Sequence, residues 1–142
     1  MRPACLIDSN LWLYAHLLDQ DPGKRALFRR ALAAHSIRRV ISTQVVAEVG
    51  CNLLKKGRMD ESSIRRVLNE LQAACDVVAV TVSTGLLASS LRENHQFSYW
   101  DSLIVAAALE SGCTELWSED LQAGRVVEGR LTIVNPLAEP AS

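Results

Sequence analysis

The chain has 142 residues, 49% of them apolar and 22% charged, and a formal net charge of −1. That length suits a single domain with one hydrophobic core. No apolar run approaches the ~20 residues of a membrane-spanning helix, and Asp8 arrives too early for a secretory leader's apolar core. The near-neutral sum hides an asymmetry. Eleven of the fifteen basic residues lie between Lys24 and Arg66, with only Glu48, Asp60 and Glu61 among them; the remainder holds thirteen acids against four bases. Such a split is a reason to expect a polyanionic partner. Twelve of the bases are Arg, whose forked guanidinium suits phosphate. Cys5, Cys51, Cys75 and Cys113 form no CxxC and no zinc-ligand spacing, and each has apolar neighbours. Buried, reduced thiols in a cytoplasmic protein are expected.

In chain order, Ala4 to Asp8 reads as a short buried strand. Ser9-Asn10 offers helix-capping chemistry before a short helix, Leu11 to Leu18. Asp21-Pro22 opens a second helix, Gly23 to about Ala34, with Ala26, Leu27, Ala31 and Leu32 on its apolar side. Arg39 to Ile41 is a strand ending at Ser42-Thr43, a further cap. The helix Gln44 to Lys56 then places Val46, Val49 and Leu53 on one face and stops at Lys55-Lys56-Gly57. A fourth helix runs from Asp60 or Ser62 to Ala74, with Ile64, Val67, Leu68 and Leu71 inward. Asp76 to Val82 is the clearest strand by its β-branched run. Ser83 or Thr84 caps a helix to about Asn94, and Ser98 caps Tyr99 to Ser111, which ends at Gly112. Thr114 to Trp117 and Leu131 to Val134 complete the strands. Apolar strands alternating with amphipathic helices predict an α/β fold with a buried, mainly parallel sheet. Right-handed crossovers would align the C-terminal strand ends along one edge.

Four carboxylates stand at positions that such a sheet can bring to that edge. Asp8 ends the first strand, Glu48 lies one turn into the helix after the second, Asp101 is in the first turn of the helix from Tyr99, and Asp120 lies three residues past the fourth strand. Clustered carboxylates repel one another unless a cation neutralises them. An all-oxygen set points to Mg²⁺ or Mn²⁺ rather than zinc, and such ions support in-line phosphoryl displacement without a His or Ser nucleophile. Each acid also has an ordinary structural role open to it. Asp8 favours a helix N-terminus, Glu48 shares a polar helix face with Gln44, Asn52 and Lys55, Asp101 has capping-box spacing from Ser98, and Asp120 fits an acidic turn.

Competing chemistries find little support. The seven glycines contain no GxG, there is no HExxH, and His16, His35 and His95 have no ligand spacing. A phospho-accepting receiver domain would need an Asp after the third strand and a late Lys, whereas Val78 to Thr81 has no acid and Lys56 is the last lysine. A haloacid-dehalogenase-type phosphatase would need Asp-x-Asp where this chain has Asp8-Ser9-Asn10.

Four segments in order resemble the PIN-domain ribonucleases, and within them the VapC-type toxins of toxin–antitoxin pairs. They are Leu6 to Asn10, Ser42 to Val49, Ser98 to Ala108 and Leu116 to Leu121, followed by the closing Ile133-Val134-Asn135-Pro136. The resemblance spans nearly the whole chain and implies an α/β/α sandwich over residues 1–136 with a tail at 137–142. It implies metal-dependent endoribonuclease activity with Asp8, Glu48, Asp101 and Asp120 as catalytic and metal-binding carboxylates, Mg²⁺ or Mn²⁺ as cofactor, and Asn10 and Ser118 as supporting hydrogen-bonders. Asp120 rather than the adjacent Glu119 fits the motif register. The family further implies a homodimer and a small VapB-like antitoxin, with DNA contacted only through that antitoxin. Arg29, Arg30, Arg38, Arg39, Arg65 and Arg66 are candidates to border the acidic pocket and contact RNA or antitoxin. A non-catalytic PIN-like binding module and a metal phosphatase are the alternatives.

Overall fold

The computed structural model describes residues 3–17, 21–34 and 36–138. Six strands form one sheet in the order β3-β2-β1-β4-β6-β5. They are β1 (Ala4–Ile7), β2 (Arg38–Ser42), β3 (Asp76–Val78), β4 (Glu115–Trp117), β5 (Val126–Val127) and β6 (Leu131–Val134). The first four and β6 pair in parallel, and β5 is an antiparallel addition to β6. All four residues of β1 are buried, as a strand covered on both faces requires.

The helices are α1 (Ser9–His16), α2 (Pro22–Ala34), α3 (Thr43–Lys55), α4 (Glu61–Ala74), α5 (Val82–Asn94) and α6 (Tyr99–Glu110). From β1 the chain steps outward to β2 and β3 through α1 to α4, then returns across the sheet through α5 and α6 to β4 on the other side of β1. Right-handed crossovers in opposite directions put the two helix groups on opposite faces. The packing agrees, since α1 meets α2 and α3, α3 meets α4, and α5 meets α6. This is the α/β/α arrangement with a mainly parallel sheet. The strand order reverses between β1 and β4, which makes their C-terminal ends the crevice of the fold.

Several boundaries differ from the sequence reading for identifiable reasons. The cap of α1 is Asp8 itself, whose side chain accepts from the Ser9 backbone N–H, so the helix starts two residues early. Leu18, the expected end of that helix, lies outside the described residues. In α2 the core contact is Phe28, fully buried edge-to-face on Trp12 at 5.3 Å, while Ala26 is exposed. Val45 rather than Val46 is the fully buried valine at the start of α3.

The largest correction is β3, three residues long instead of seven. Its one partner, β2, ends at Ser42, so pairing stops at Val78. The Val80 N–H goes to Thr43 Oγ1 at 3.0 Å, and Thr81 caps α5 through a reciprocal capping box with Thr84. The unanticipated β5 is turned back onto β6 by Glu128 and Gly129, both at positive φ, with Arg130 N–H closing on Val127 O at 3.1 Å. Cys5, Cys75 and Cys113 are buried and Cys51 is exposed on α3; all four are free thiols. Within the segment expected as a tail, Leu137 is buried, and residues 139–142 lie outside the described residues.

Candidate active site

The crevice is built by two adjacent strand ends. Ile7 of β1 is in register with Trp117 of β4, and the Asp8 N–H continues the ladder to Trp117 O at 2.9 Å. Asp8 and Ser118 therefore leave the sheet side by side. Ser118 Oγ donates to Asp8 Oδ2 at 2.8 Å and accepts from the N–H groups of Asp120 and Leu121, both at 3.2 Å. One hydroxyl thus folds the 118–121 turn and fixes the Asp8 carboxylate. Its other oxygen, Oδ1, accepts from the Ser9 N–H at 2.7 Å.

Because Asp8 caps α1, Ser9 has its hydroxyl free, and it donates to Glu48 Oε2 at 3.1 Å. Glu48 projects from the second turn of α3, whose N-terminus is fixed by Ser42 Oγ accepting from Val45 N–H at 3.3 Å. Asp8 is 9% exposed. Burial pushes its carboxyl up from 3.8 to about 6 against the lowering effect of the Ser118 and Ser9 hydrogen bonds, and Glu48 and Asp120 raise it further by repulsion. Two of the other three expected carboxylates therefore reach Asp8 with their charge.

Asp101 is placed differently. It lies half-buried in the first turn of α6, where Ser98 Oγ accepts its N–H at 3.1 Å. That turn is held to α3 by Gln44 Nε2 donating to Trp100 O at 3.2 Å, and to α5 by Arg92, which donates to Ser102 Oγ at 2.6 Å and covers the Tyr99 ring. Asp101 thus occupies the neighbouring helix start with no hydrogen bond or ion pair joining its carboxylate to the other three. Among the described residues, no three acidic, His or Cys side chains are gathered closely enough to hold a metal ion.

The donor chemistry nevertheless fits a hard divalent cation. Asp8, Glu48 and Asp120 offer carboxylate oxygens, and the charges of Glu48 and Asp120 raise the proton affinity of Asp8. Asn10, in the first turn of α1, has both amide atoms buried and without hydrogen bonds. Such an amide is an opening for ordered water or an ion's hydration shell.

A groove of about 630 Å³ runs from Glu48 between α3 and α6, lined by Gln44, Ala47, Cys51, Val80, Trp100 and Leu103. Trp100 is 64% exposed at its rim.

The candidate arginines are scattered. Arg29 and Arg30 are exposed on α2, and Arg65 and Arg66 on α4. Arg38 and Arg39 begin β2, so about four residues, or ~13 Å of strand, separate them from the edge that carries Asp8. There Arg38 pairs with Asp76 at 2.6 Å, and both arginines line a polar cavity of about 400 Å³ beside Ala73 to Asp76.

Two contacts have no counterpart in the sequence pattern. One is the Ser9 hydroxyl on Glu48, hidden because Ser9 read as a cap. The other lies around Glu119, whose carboxylate accepts from Tyr14 Oη at 2.6 Å and pairs with Lys24 Nζ at 2.7 Å. Burial raises Glu119, but the bonds from Lys24 and Tyr14 outweigh it and hold the carboxyl below its ordinary value. Residues this far apart leave no local signal.

The PIN-domain family model matches residues 5–128. The chain belongs to the PIN-domain family. No curated protein matches the chain. Among solved structures, this PIN domain is similar to a toxin–antitoxin complex from Klebsiella pneumoniae, at 20% identity and a TM-score of 0.68 over 94% of this chain and 98% of that one. It is also similar to VapC20 from Mycobacterium tuberculosis, described as a Sarcin-Ricin loop cleaving toxin, at 15% identity and a TM-score of 0.67 over 82% and 92%. FitAcB from Neisseria gonorrhoeae matches at 13% identity and a TM-score of 0.60 over 93% and 97%. At these identities the likeness is one of fold.

Proposed function

We propose that this PIN domain is a metal-dependent endoribonuclease that hydrolyses RNA phosphodiester bonds, the toxin half of a toxin–antitoxin module. The observation that carries the reading is Asp8: a buried carboxylate at the crevice of the sheet, held by two hydrogen-bond donors and linked through Ser9 to Glu48, with the like charges of Glu48 and Asp120 acting on it. A fold gains nothing from such repulsion, and catalytic sites are where it is tolerated. Asp8, Glu48 and Asp120 would hold Mg²⁺ or Mn²⁺, with Asp101 contributing from the start of α6. The bound cation would supply the charge that activates water and stabilises the leaving oxygen of an in-line displacement.

The chain's own residues do the rest. Ser118 and Ser9 orient the two oxygens of Asp8, Ser9 couples Asp8 to Glu48, and the buried, unpartnered amide of Asn10 would be available to a water on the bound cation. Exposed Arg29 and Arg30 on α2, and Arg65 and Arg66 on α4, supply long-range attraction for phosphate. Arg38 and Arg39, at the other edge, stand outside that role.

A VapB-like antitoxin is the proposed protein partner, in keeping with the toxin–antitoxin complex from Klebsiella pneumoniae that shares the fold. One related structure, FitAB, is bound to a DNA fragment; for this chain, DNA contact is proposed only through the antitoxin. A homodimer is proposed because Val82 and Leu86 on α5 and Tyr99 and Trp100 at the start of α6 are large apolar side chains left exposed. No helix among the described residues is long and apolar enough to cross a membrane, and a single domain over residues 1–136 acting in the cytoplasm is the accompanying proposal.

The test is cleavage of RNA with Mg²⁺ or Mn²⁺ and with chelator, comparing wild type with Asp8→Asn and Asp101→Asn. Loss of activity in both variants and in chelator is expected. Undiminished cleavage by both, or indifference to chelator, ends the metal mechanism. RNA binding without any metal-stimulated cleavage would leave a PIN-like binding module instead.

A further inference from the structure

The carboxylate site hangs on a turn, Ser118 to Leu121, and one polar cluster outside the site grips that turn from behind. Glu119 sits between Ser118, which holds Asp8, and the exposed Asp120, whose N–H donates to the same Ser118 hydroxyl and whose charge reaches Asp8. Its own side chain is directed to the helices α1 and α2. Tyr14 Oη donates to Oε1 at 2.6 Å, Lys24 Nζ pairs with Oε2 at 2.7 Å, and Lys24 also donates to Tyr14 Oη at 3.2 Å while lying 5.1 Å from the centre of its ring. Three side chains from α1, α2 and the turn thus close a triangle in which both Glu119 oxygens are used.

We propose that Tyr14, Lys24 and Glu119 form a latch that positions Ser118 and Asp120 for metal binding, so that Lys24 and Tyr14 are positioning residues of the reaction centre. This rests on the carboxylate reading given above.

The geometry explains why Glu119 and Asp120, adjacent acids, have separate tasks. With Glu119 tied to α1 and α2, Asp120 is the acid of the turn left free to act with Asp8. The same tie holds the backbone on which the Ser118 hydroxyl must meet two N–H groups and one carboxylate at once. Releasing it lets the turn rotate, which costs Asp8 its Oδ2 donor and moves Asp120 off the cation. Lys24 is therefore spent on an internal carboxylate, unlike the exposed arginines of its helix.

The experiment is calorimetric titration of Mn²⁺ into the 142-residue chain, with RNA cleavage kinetics alongside. Lys24→Met and Glu119→Gln are each expected to weaken Mn²⁺ binding and lower kcat by roughly tenfold, the size of effect that supporting hydrogen bonds have on metal sites. The KM for RNA should stay within about twofold in both, since neither side chain is assigned to RNA. Tyr14→Phe, which leaves the ion pair in place, should fall between these and wild type. The exchanged pair Lys24→Glu with Glu119→Lys should recover most of the Mn²⁺ affinity, which a fold-wide defect would not allow.

An unchanged Mn²⁺ affinity in both single variants overturns the latch. So does a rise in KM for Lys24→Met at constant metal affinity, which would put Lys24 on RNA directly. Should Lys24→Met fail to fold, Tyr14→Phe and the exchanged pair carry the decision. Wild type that binds Mn²⁺, loses it on Asp8→Asn and ignores every latch substitution refutes the latch alone. Wild type that binds no Mn²⁺ overturns the carboxylate reading and the latch with it.

Discussion

Replacing Asp8 with Asn removes the charge and keeps the shape, so it separates the strain of the acidic site from its architecture. Asn is as good a helix cap as Asp, and its Oδ1 can still accept from the Ser9 N–H. The native carboxyl titrates at about 6 instead of 3.8, raised by burial and by Glu48 and Asp120. A buried carboxyl whose proton affinity rises on folding favours the fold below pH 4, where both states are protonated. As pH climbs from about 4 to 6, the unfolded chain releases its proton first and native stability falls; above 6 the loss is complete.

A rise from 3.8 to about 6 corresponds to about 3 kcal/mol. Asn forgoes that penalty but weakens the Ser118 contact, worth about 1 kcal/mol, because Ser118 Oγ already accepts two N–H groups. The metal-free Asn variant should therefore be more stable than wild type by about 2 kcal/mol at pH 8, or roughly 5–8 °C in Tm for a domain of this size. At pH 4 the gain should vanish or reverse. Thermal melts in chelator at pH 4, 6 and 8 measure this directly. Adding Mn²⁺ should then raise the wild-type Tm and leave the variant unmoved. A variant that melts below wild type at pH 8, or a difference that is the same at pH 4 and 8, would refute the electrostatic argument.

Ser118→Ala removes a hydrogen bond that lowers the Asp8 pKa, so the acid limb of Mn²⁺ binding should move to higher pH and affinity at pH 7 should drop about tenfold, read by titration at stepped pH. Phe28→Ala, which takes out the one fully buried side chain of α2 and its edge contact with Trp12, should cost about 3–5 kcal/mol in urea unfolding; a loss under about 1 kcal/mol would mean that α2 is held mainly by its polar contacts. In native buffer one thiol, Cys51, should react quickly with a thiol reagent, while Cys5, Cys75 and Cys113 wait for unfolding. Burial also raises all three of those thiols, which slows them further.

What the sequence made legible is what is decided within a few residues. The apolar run into Asp8, the Ser42 and Ser98 caps and the Gly112 stop each rest on local chemistry, and the strand–helix alternation then leaves few topologies open. The same locality explains the failures. β-branching favoured a seven-residue β3, but strand length is set by the partner, and β2 ends at Ser42. Cys51 sits among apolar neighbours in the chain, yet on α3 it shares the outward face with Lys55, one turn on. Charge bunching is the sharpest case. Arg38 and Arg39 lie between the bases of α2 and α3 in sequence, but a strand runs across the sheet, and its first residues belong to the edge away from Asp8.

The bases nearest in sequence are therefore not one surface. Lys24 turns inward to Glu119, Arg25 donates to the Tyr14 and Leu17 carbonyls at the end of α1, and Arg38 pairs with Asp76. Three of the eleven are thus committed to holding the fold. An electrostatic path for RNA to the carboxylates must be drawn by those that remain exposed on α2 and α4 and around Lys55, Lys56 and Arg58. Salt should accordingly weaken RNA binding less steeply than eleven clustered cations would imply, because the slope counts phosphates neutralised rather than bases present.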